Sequence, residues 1–430
     1  MNLLEYFTDP ILRAPTLGCI FMCTAASLMG AVLFFQRRLM VSESISHAAY
    51  PGAVLGVFVL SLFGAQFEEY SFLAVLIGAT ISSYLGLKAI SYLEKRRKIK
   101  SDPALCFALA IFFGLGILLA SGLQETAPMW VSQVNSLLYG QAATLTDLHI
   151  AIYGTLALAC TSFILFGFRP LQTLLFDRGF AQSIGIRTQI VERCLFWLLL
   201  LSIVAGIRSV GVILMSGMLI APAIAARQFS NSLKTVFFLS AFFGAFSGLL
   251  GNVLSVEIAL KYDQIHIPTG PMIVLVGSLV ALLSLLFAPK RGVFFRIARL
   301  GLFRLRCIEE NVMKGIWKKE RIERSELKRL YPNSSFALFR LINQGFVFKE
   351  GKNICLTEDG RIKAGAIVRL HRLWELYLTE QLGCHAERVH HCAEEMEHIL
   401  TPELEERLTK VLADPKCDPH SQPIPQRRQL

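Results

Sequence analysis

Nine stretches of mainly apolar residues, at roughly 16–35, 46–64, 71–92, 103–122, 148–168, 192–207, 210–226, 234–253 and 271–288, fill the first two thirds of this chain. Most approach the ~20 residues a helix needs to cross the ~30 Å hydrocarbon core of a bilayer. Lipid offers no partner to a peptide N–H or C=O, so each such segment must satisfy its own backbone and coil. The sixth and seventh stretches are short and joined through Arg208, which leaves a count of eight or nine. Small residues recur inside them, as in Gly244-x-x-x-Gly248 and Gly248-x-x-Gly251, a spacing that lets helix backbones approach closely. The pattern stops near residue 289, and the remainder reads as a chain that folds in water.

Composition sharpens that division. The mean hydropathy of +0.51 and 53% hydrophobic residues exclude an ordinary soluble protein. From Pro289 onward there are 26 Lys+Arg against 19 Asp+Glu, whereas the first 288 residues hold 17 and 13. The tail is therefore dense in charge and net basic, which suits nucleic acid or anionic headgroups. The densest basic loop, Glu94–Lys100, belongs in the cytoplasm by the positive-inside rule. With nine spans, Gln36–Arg38, Arg169–Arg193 and Pro289–Arg291 fall on that same side, while Glu68, Glu69 and residues 257–266 fall outside. The N-terminus is then external and the tail cytoplasmic. The first residues lack the basic region and cleavage site of a signal peptide, so the first span is expected to be retained. Ten cysteines without CxxC spacing read as reduced thiols rather than a disulfide framework.

Beyond residue 289, Phe294–Arg306 is basic and amphipathic, suited to lying along the inner headgroup layer. Helices are expected over Ile308–Lys319, Arg321–Tyr331 and Asn333–Asn343, followed by a hairpin within Phe346–Leu356 that turns at Glu350-Gly-Lys-Asn. Three helices and a hairpin in about 50 residues is the winged-helix order. Two more helices are expected at about 359–381 and 385–399, and a last one capped by Thr401 with Pro402 in its first turn.

Two constellations can carry chemistry. Glu43 and His47 lie four residues apart on one face near the start of the second span, and ionisable groups there are costly unless functional. In the tail, His371/Glu375, His390/Glu394 and Glu394/His398 are all i,i+4 pairs, with Glu397 beside them. Two helices can thus turn His/Glu faces toward one divalent ion. Imidazole with carboxylate, without paired Cys, favours first-row transition metals over Ca or Mg.

Ser46-His-Ala-Ala-Tyr-Pro-Gly-Ala-Val-Leu-Gly56, Val210–Ala226 with its Ile220-Ala-Pro-Ala223, and Pro268-Thr-Gly-Pro-Met-Ile-Val-Leu275 resemble the permease subunits of manganese/zinc/iron ABC importers. The resemblance spans about residues 10–288. It implies an all-α permease fold and a metal-transit role for Glu43 and His47; the family's usual Asp is Glu here, and its acidic residue before Pro-Thr-Gly is replaced by His266-Ile267. No G-x-x-x-x-G-K-[ST] occurs in the sequence, so ATP hydrolysis is expected from a separate ATPase subunit. The resemblance places its docking on the loop Asp177–Gly185, with Asp177, Gly179, Ala181 and Gly185 as candidate residues. It also implies an external metal-binding protein and a second permease subunit, a copy or a paralogue. This chain is expected not to be an enzyme.

His371-Arg-Leu-Trp-Glu375, Val389-His390 through Glu397-His398, and Asp418-Pro-His-Ser-Gln-Pro-Ile-Pro425 resemble the diphtheria-toxin-repressor and manganese-regulator family over about 307–425. The resemblance implies one metal site from His371, Glu375 and His390, and another using Glu394, Glu397 and His398. Its first-helix ligands, Asp or Met and Glu, are replaced by Asn311 and Lys314. A homodimer and operator DNA are implied as partners. For DNA, Asn333, Ser334 and Ser335 open the candidate reading helix, while Lys328, Arg329, Arg340, Lys349 and Lys352 are candidate phosphate contacts.

The expected architecture is an all-α polytopic membrane domain (1–288), a basic amphipathic connector (289–306), a winged-helix domain (307–358), and a helical metal-sensing and dimerisation domain (359–430). The expected function is import of Mn, Fe or Zn across a bacterial inner membrane, coupled to a metal-dependent repressor that proteolysis in the connector would free. A cytosolic metal-sensing gate without DNA binding, or a permease for a metal chelate, are the alternatives.

Overall fold

The computed structural model describes residues 4–63, 71–126, 130–262, 267–332 and 334–426. Glu68, Glu69, His266 and Asn333 lie outside them. The chain divides into two compact units, Met1–Phe295 and Arg296–Leu430.

The first unit is helical: α1 (Glu5–Thr8), α2 (Pro10–Gln36), α3 (Met40–Phe63), α4 (Ser71–Arg97), α5 (Ser101–Thr126), α6 (Val131–Tyr139), α7 (Asp147–Phe166), α8 (Phe168–Phe176), α9 (Arg178–Ser183), α10 (Thr188–Val210), α11 (Val212–Phe229), α12 (Leu233–Lys261) and α13 (Thr269–Phe287). Among the described residues, nine are long and apolar enough to cross a membrane: α2–α5, α7 and α10–α13. The open question at Arg208 resolves into two helices. Gly211, at φ +96, separates α10 from α11 in a backbone conformation closed to most other residues.

The central helix is α2, which packs against α7, α10, α11 and α12. Its contact with α12 depends on the small-residue pattern. A Cβ on Gly244 would stand 2.6 Å from the Cys23 carbonyl oxygen, and one on Gly248 would stand 2.7 Å from that of Cys19. Polar groups in this interior pair with one another: Asn252 donates to Thr16 Oγ1 at 2.9 Å and Ser240 to the Ser27 carbonyl at 2.9 Å. On α5, Phe107, Ile111, Leu115 and Leu118 are exposed at helical spacing, an apolar stripe fit for lipid.

The boundary falls inside α14 (Val293–Lys319), and the second unit continues with β1 (Arg321–Glu323), α15 (Arg324–Leu330), α16 (Ser334–Asn343), β2 (Val347–Glu350), β3 (Asn353–Leu356), α17 (Glu358–Glu380), α18 (Ala386–Met396) and α19 (Pro402–Val411). Two expectations change. The amphipathic stretch and the next helix are one continuous α14. The helix expected from Arg321 begins at Arg324, because Arg321–Glu323 form a strand. That strand pairs antiparallel with β3, Ile322 opposite Ile354, in a sheet of order β1-β3-β2. Val312, Met313, Ile316, Ile322, Leu327, Leu338, Leu341, Val347 and Ile354 form the core, joined by Ala364 and Ile367 of α17. The expected cap of α19 is present, with Thr401 accepting from Leu404 N.

Candidate functional site

Thr357 starts α17 by accepting from Gly360 N at 3.1 Å. His371 and Glu375 follow one turn apart on its buried face, each under 5% exposed. Helix α18 brings His390 against them. His371 Nε2 stands 3.1 Å from Glu375 Oε1 and 3.1 Å from His390 Nδ1, and His390 Nδ1 stands 2.8 Å from Glu375 Oε1. One ligand atom from each of the three residues lies within 4.8 Å of the others. The His390 side chain is half exposed, which leaves an access path to the cluster.

Charge within the cluster is strongly coupled. Burial alone would raise the Glu375 carboxyl, but hydrogen bonds from His371 and His390 reverse this and lower it to about 2. Burial disfavours a charged His371, yet Glu375 and Glu397 outweigh it and raise its pKa. Two imidazoles and one carboxylate, converging with solvent access on one side, fit a first-row divalent ion.

The opposite face of the His371 ring is also occupied. Glu397, at the end of α18, places Oε2 2.5 Å from His371 Nδ1. Lys314, from α14, donates to the two Glu397 oxygens at 2.7 and 3.0 Å and lies 3.1 Å from His371 Nδ1. The ion pair is buried, and such a pair costs about 3–5 kcal/mol to break from one side. His398 Nδ1 bonds Glu310 Oε2 at 2.6 Å. Glu394 instead stands 3.6 Å from His390 Nε2. Of the expected set Glu394, Glu397 and His398, the last two lie together, with His398 Nε2 3.7 Å from Glu397 Oε1, while Glu394 turns to His390. Glu310 escaped the sequence reading; its one signal is its i,i+4 spacing from Lys314 on a shared helix face.

Arg369 is a second omission. Though buried, it reaches Glu405 at 3.1 Å, Thr409 at 3.2 Å and the Pro425 carbonyl at 2.9 Å, tying α17 to α19 and the terminal segment. Asp418 folds that segment by accepting from His420 N and Gln422 N.

In the first unit, Glu43 lies half-buried in the first turn of α3. His47, one turn on, is buried with its ring 4.7 Å from that of Phe113, and its Nδ1 has no hydrogen-bond partner among the described residues. On the loop between α7 and α10, Asp177 caps the six-residue α9 by accepting from Phe180 N at 3.0 Å. Ala181 is buried beneath it, Gly185 ends it at φ +82, and Gly179 stands near the cap, with Phe180 and Ile184 exposed. Beside it lies an open groove of about 700 Å³ lined by Arg169, Thr173, Ile184 and Arg187.

The described candidate DNA residues lie on α15, α16 and the β2–β3 hairpin. Ser334 is buried, so the exposed face of α16 starts at Ser335 and carries Phe336 and Phe339. Arg340 Nε pairs with Glu309 Oε1 at 3.1 Å. Lys328, Arg329, Lys349 and Lys352 are exposed.

These features define a multi-pass membrane permease extended by a second unit that carries a His/Glu cluster. The chain belongs to the family described as the ABC 3 transport family, which its residues 8–288 match. Residues 357–426 match the domain described as iron dependent repressor, metal binding and dimerisation domain. Over 445 residues the chain is 36% identical to the "Probable metal transport system membrane protein" of Chlamydia trachomatis, covering 98% of this chain and 97% of that one. It is 33% identical to the zinc transport system membrane protein TroC of Treponema pallidum, over 69% of this chain and 95% of that one. The solved structure of PsaBC from Streptococcus pneumoniae in complex with Fab covers 70% of this chain and 98% of its own, at TM-score 0.58 and 27% identity.

Proposed function

We propose that this chain is the membrane subunit of an ABC importer for a divalent transition metal, carrying its own metal-responsive repressor. The observation that carries this reading is the convergence of His371, Glu375 and His390 within 4.8 Å, in the same chain as a permease with nine membrane-length apolar helices among its described residues. Mn, Fe or Zn is the cargo, passing Glu43 and His47. An external metal-binding protein delivers it, and a separate ATPase subunit docks on the α9 loop, where exposed Phe180 and Ile184 offer an apolar knob. A second permease subunit, a copy or a paralogue, completes the pore.

In the cytoplasmic domain, His371, Glu375 and His390 hold the corepressor ion. A bound divalent cation neutralises the Glu375 charge and pins α17 to α18. Glu397 receives the Nδ1 proton of His371 and so presents the Nε2 lone pair to the ion. The domain pairs with a second copy, and α16 with the hairpin of β2 and β3 meets operator DNA. The boundaries follow the membrane unit (1–288), connector (289–306), winged helix (307–358) and sensing domain (359–430). Proteolysis in the connector frees the repressor from the bacterial inner membrane; a single full-length band in native cells argues against release.

A gate reading, in which the tail senses metal but does not bind DNA, draws support from the exposed Phe336 and Phe339 on α16 and from the engaged Arg340. Fluorescence anisotropy of residues 300–430 with the promoter DNA of its own operon, with and without Mn(II) or Fe(II), separates the two. Metal-dependent, sequence-specific binding that His371→Ala abolishes supports the repressor. A folded fragment that takes up metal and ignores DNA supports the gate. For a chelate permease, Glu43→Ala and His47→Ala would leave uptake of free metal intact.

A further inference from the structure

We propose that Lys314 is a built-in cation standing in for a metal ion, so that a single ion, at His371, Glu375 and His390, switches this domain. The proposal rests on reading that cluster as a metal sensor. A metal shared by Glu397 and His371 Nδ1 would have to sit roughly 2 Å from both. The Lys314 Nζ already stands 2.7 and 3.0 Å from the Glu397 oxygens and 3.1 Å from that nitrogen. A second dication there would face an ammonium at contact distance. Of the other donors, His398 turns Nδ1 to Glu310 at 2.6 Å and Nε2 to within 3.7 Å of Glu397, and Glu394 is exposed, 3.6 Å from His390, so Lys314 Nζ is the cation against Glu397. Lys314 is only 5% exposed, so this is no surface side chain resting on a passing carboxylate.

The arrangement has a mechanical consequence. Lys314 belongs to α14, whose Val312, Met313 and Ile316 build the core under the winged-helix sheet. Glu397 closes α18, and His371 sits on α17. A path of hydrogen bonds therefore runs from α14 through Glu397 to the imidazole, and the ion binds on the far side of the same ring. Glu397 becomes the positioning carboxylate of His371 rather than a metal ligand. The union of α14 with the sensing helices is permanent, and the ion adjusts only the α17–α18 side.

The full-length chain in detergent micelles tests this with Mn(II), by equilibrium dialysis and electron paramagnetic resonance. The wild type is expected to lose one Mn(II) per chain on His371→Ala and to show no spin-coupled Mn pair. Lys314→Glu, which restores a carboxylate, is expected to raise that loss to two and to show a coupled pair. A coupled pair in the wild type, or no gain in Lys314→Glu, overturns the proposal. Hydrogen exchange of the metal-free chain supplies an independent arm. Lys314→Met is expected to speed exchange of amides 308–316 by at least about tenfold, and in Lys314→Glu added Mn(II) is expected to restore protection. Unchanged exchange in Lys314→Met also overturns it. If His371→Ala removes no metal from the wild type, the sensor reading fails, and the exchange arm still decides whether Lys314 holds α14 in place.

Discussion

His371 is held between two carboxylates, and the two faces of its ring have separable roles. Glu397→Gln keeps the shape but loses the charge that orients Nδ1–H, so metal affinity is expected to fall roughly 10–100-fold. Glu394→Ala, at an exposed side chain 3.6 Å from His390, is expected to fall by much less, and isothermal titration with Mn(II) distinguishes the two. The same coupling sets the pH response of the metal-free domain. The lowered Glu375 contributes stability that is full above its ordinary value of 4.5 and is lost as pH falls toward about 2. The raised His371 contributes stability that is full below 6.5 and is lost as pH climbs through its higher folded value. Thermal unfolding of the metal-free fragment 296–430 is therefore expected to peak between pH 4.5 and 6.5. A Tm that keeps rising above pH 7 would count against this pairing. Metal binding needs the deprotonated Nε2, so affinity is expected to rise with pH over the range where the metal-free stability declines.

Helix α12 meets α2 through glycines, so its tolerance for bulk can be read residue by residue. Gly244→Leu forces a side chain into the Cys23 carbonyl and is expected to cost about 1–3 kcal/mol, whereas Gly114→Ala, with nothing within 4 Å, is expected to be neutral. Thermal stability in detergent compares them directly. On the α9 loop, Phe180→Asp replaces an exposed apolar residue without touching the cap at Asp177. The expected outcome is a folded permease whose ATP-driven uptake is lost; unchanged uptake in vesicles would remove α9 from the docking surface. Helix periods and caps were legible at this scale: Thr401 with Pro402 predicted the start of α19. The strand Arg321–Glu323 was not, because a three-residue strand with one inward side chain has no periodicity to detect. Only its pairing with β3, 30 residues on, makes it a strand.

Across the whole molecule, the helices long and apolar enough for a membrane lie, among the described residues, in the first of the two units. Apolar length and the absence of water in lipid determined that unit from sequence up to one ambiguity: eight or nine spans, their order, and the small residues at their contacts, with the break at Gly211 left to the structure. Local spacing likewise determined that His371 and Glu375 share a face, and that His390 lies on another helix able to meet them. Connector behaviour depends on both units. Because α14 is continuous from Val293 to Lys319, cleavage within it requires the helix to open first, so the release proposed here is expected to be slow in vitro and faster when Gly or Pro is inserted near Gly301. Time-resolved limited proteolysis checks this, and equal rates would mean that helix opening is not limiting. Tertiary structure alone decided what surrounds the metal cluster. Lys314 and Glu397 are 83 residues apart, and Glu310 and His398 are 88 apart. Hydrogen bonds act over about 3 Å in space, so no pattern of neighbours along the chain could reveal that a lysine and a glutamate from one helix would claim the partners expected to bind a second ion.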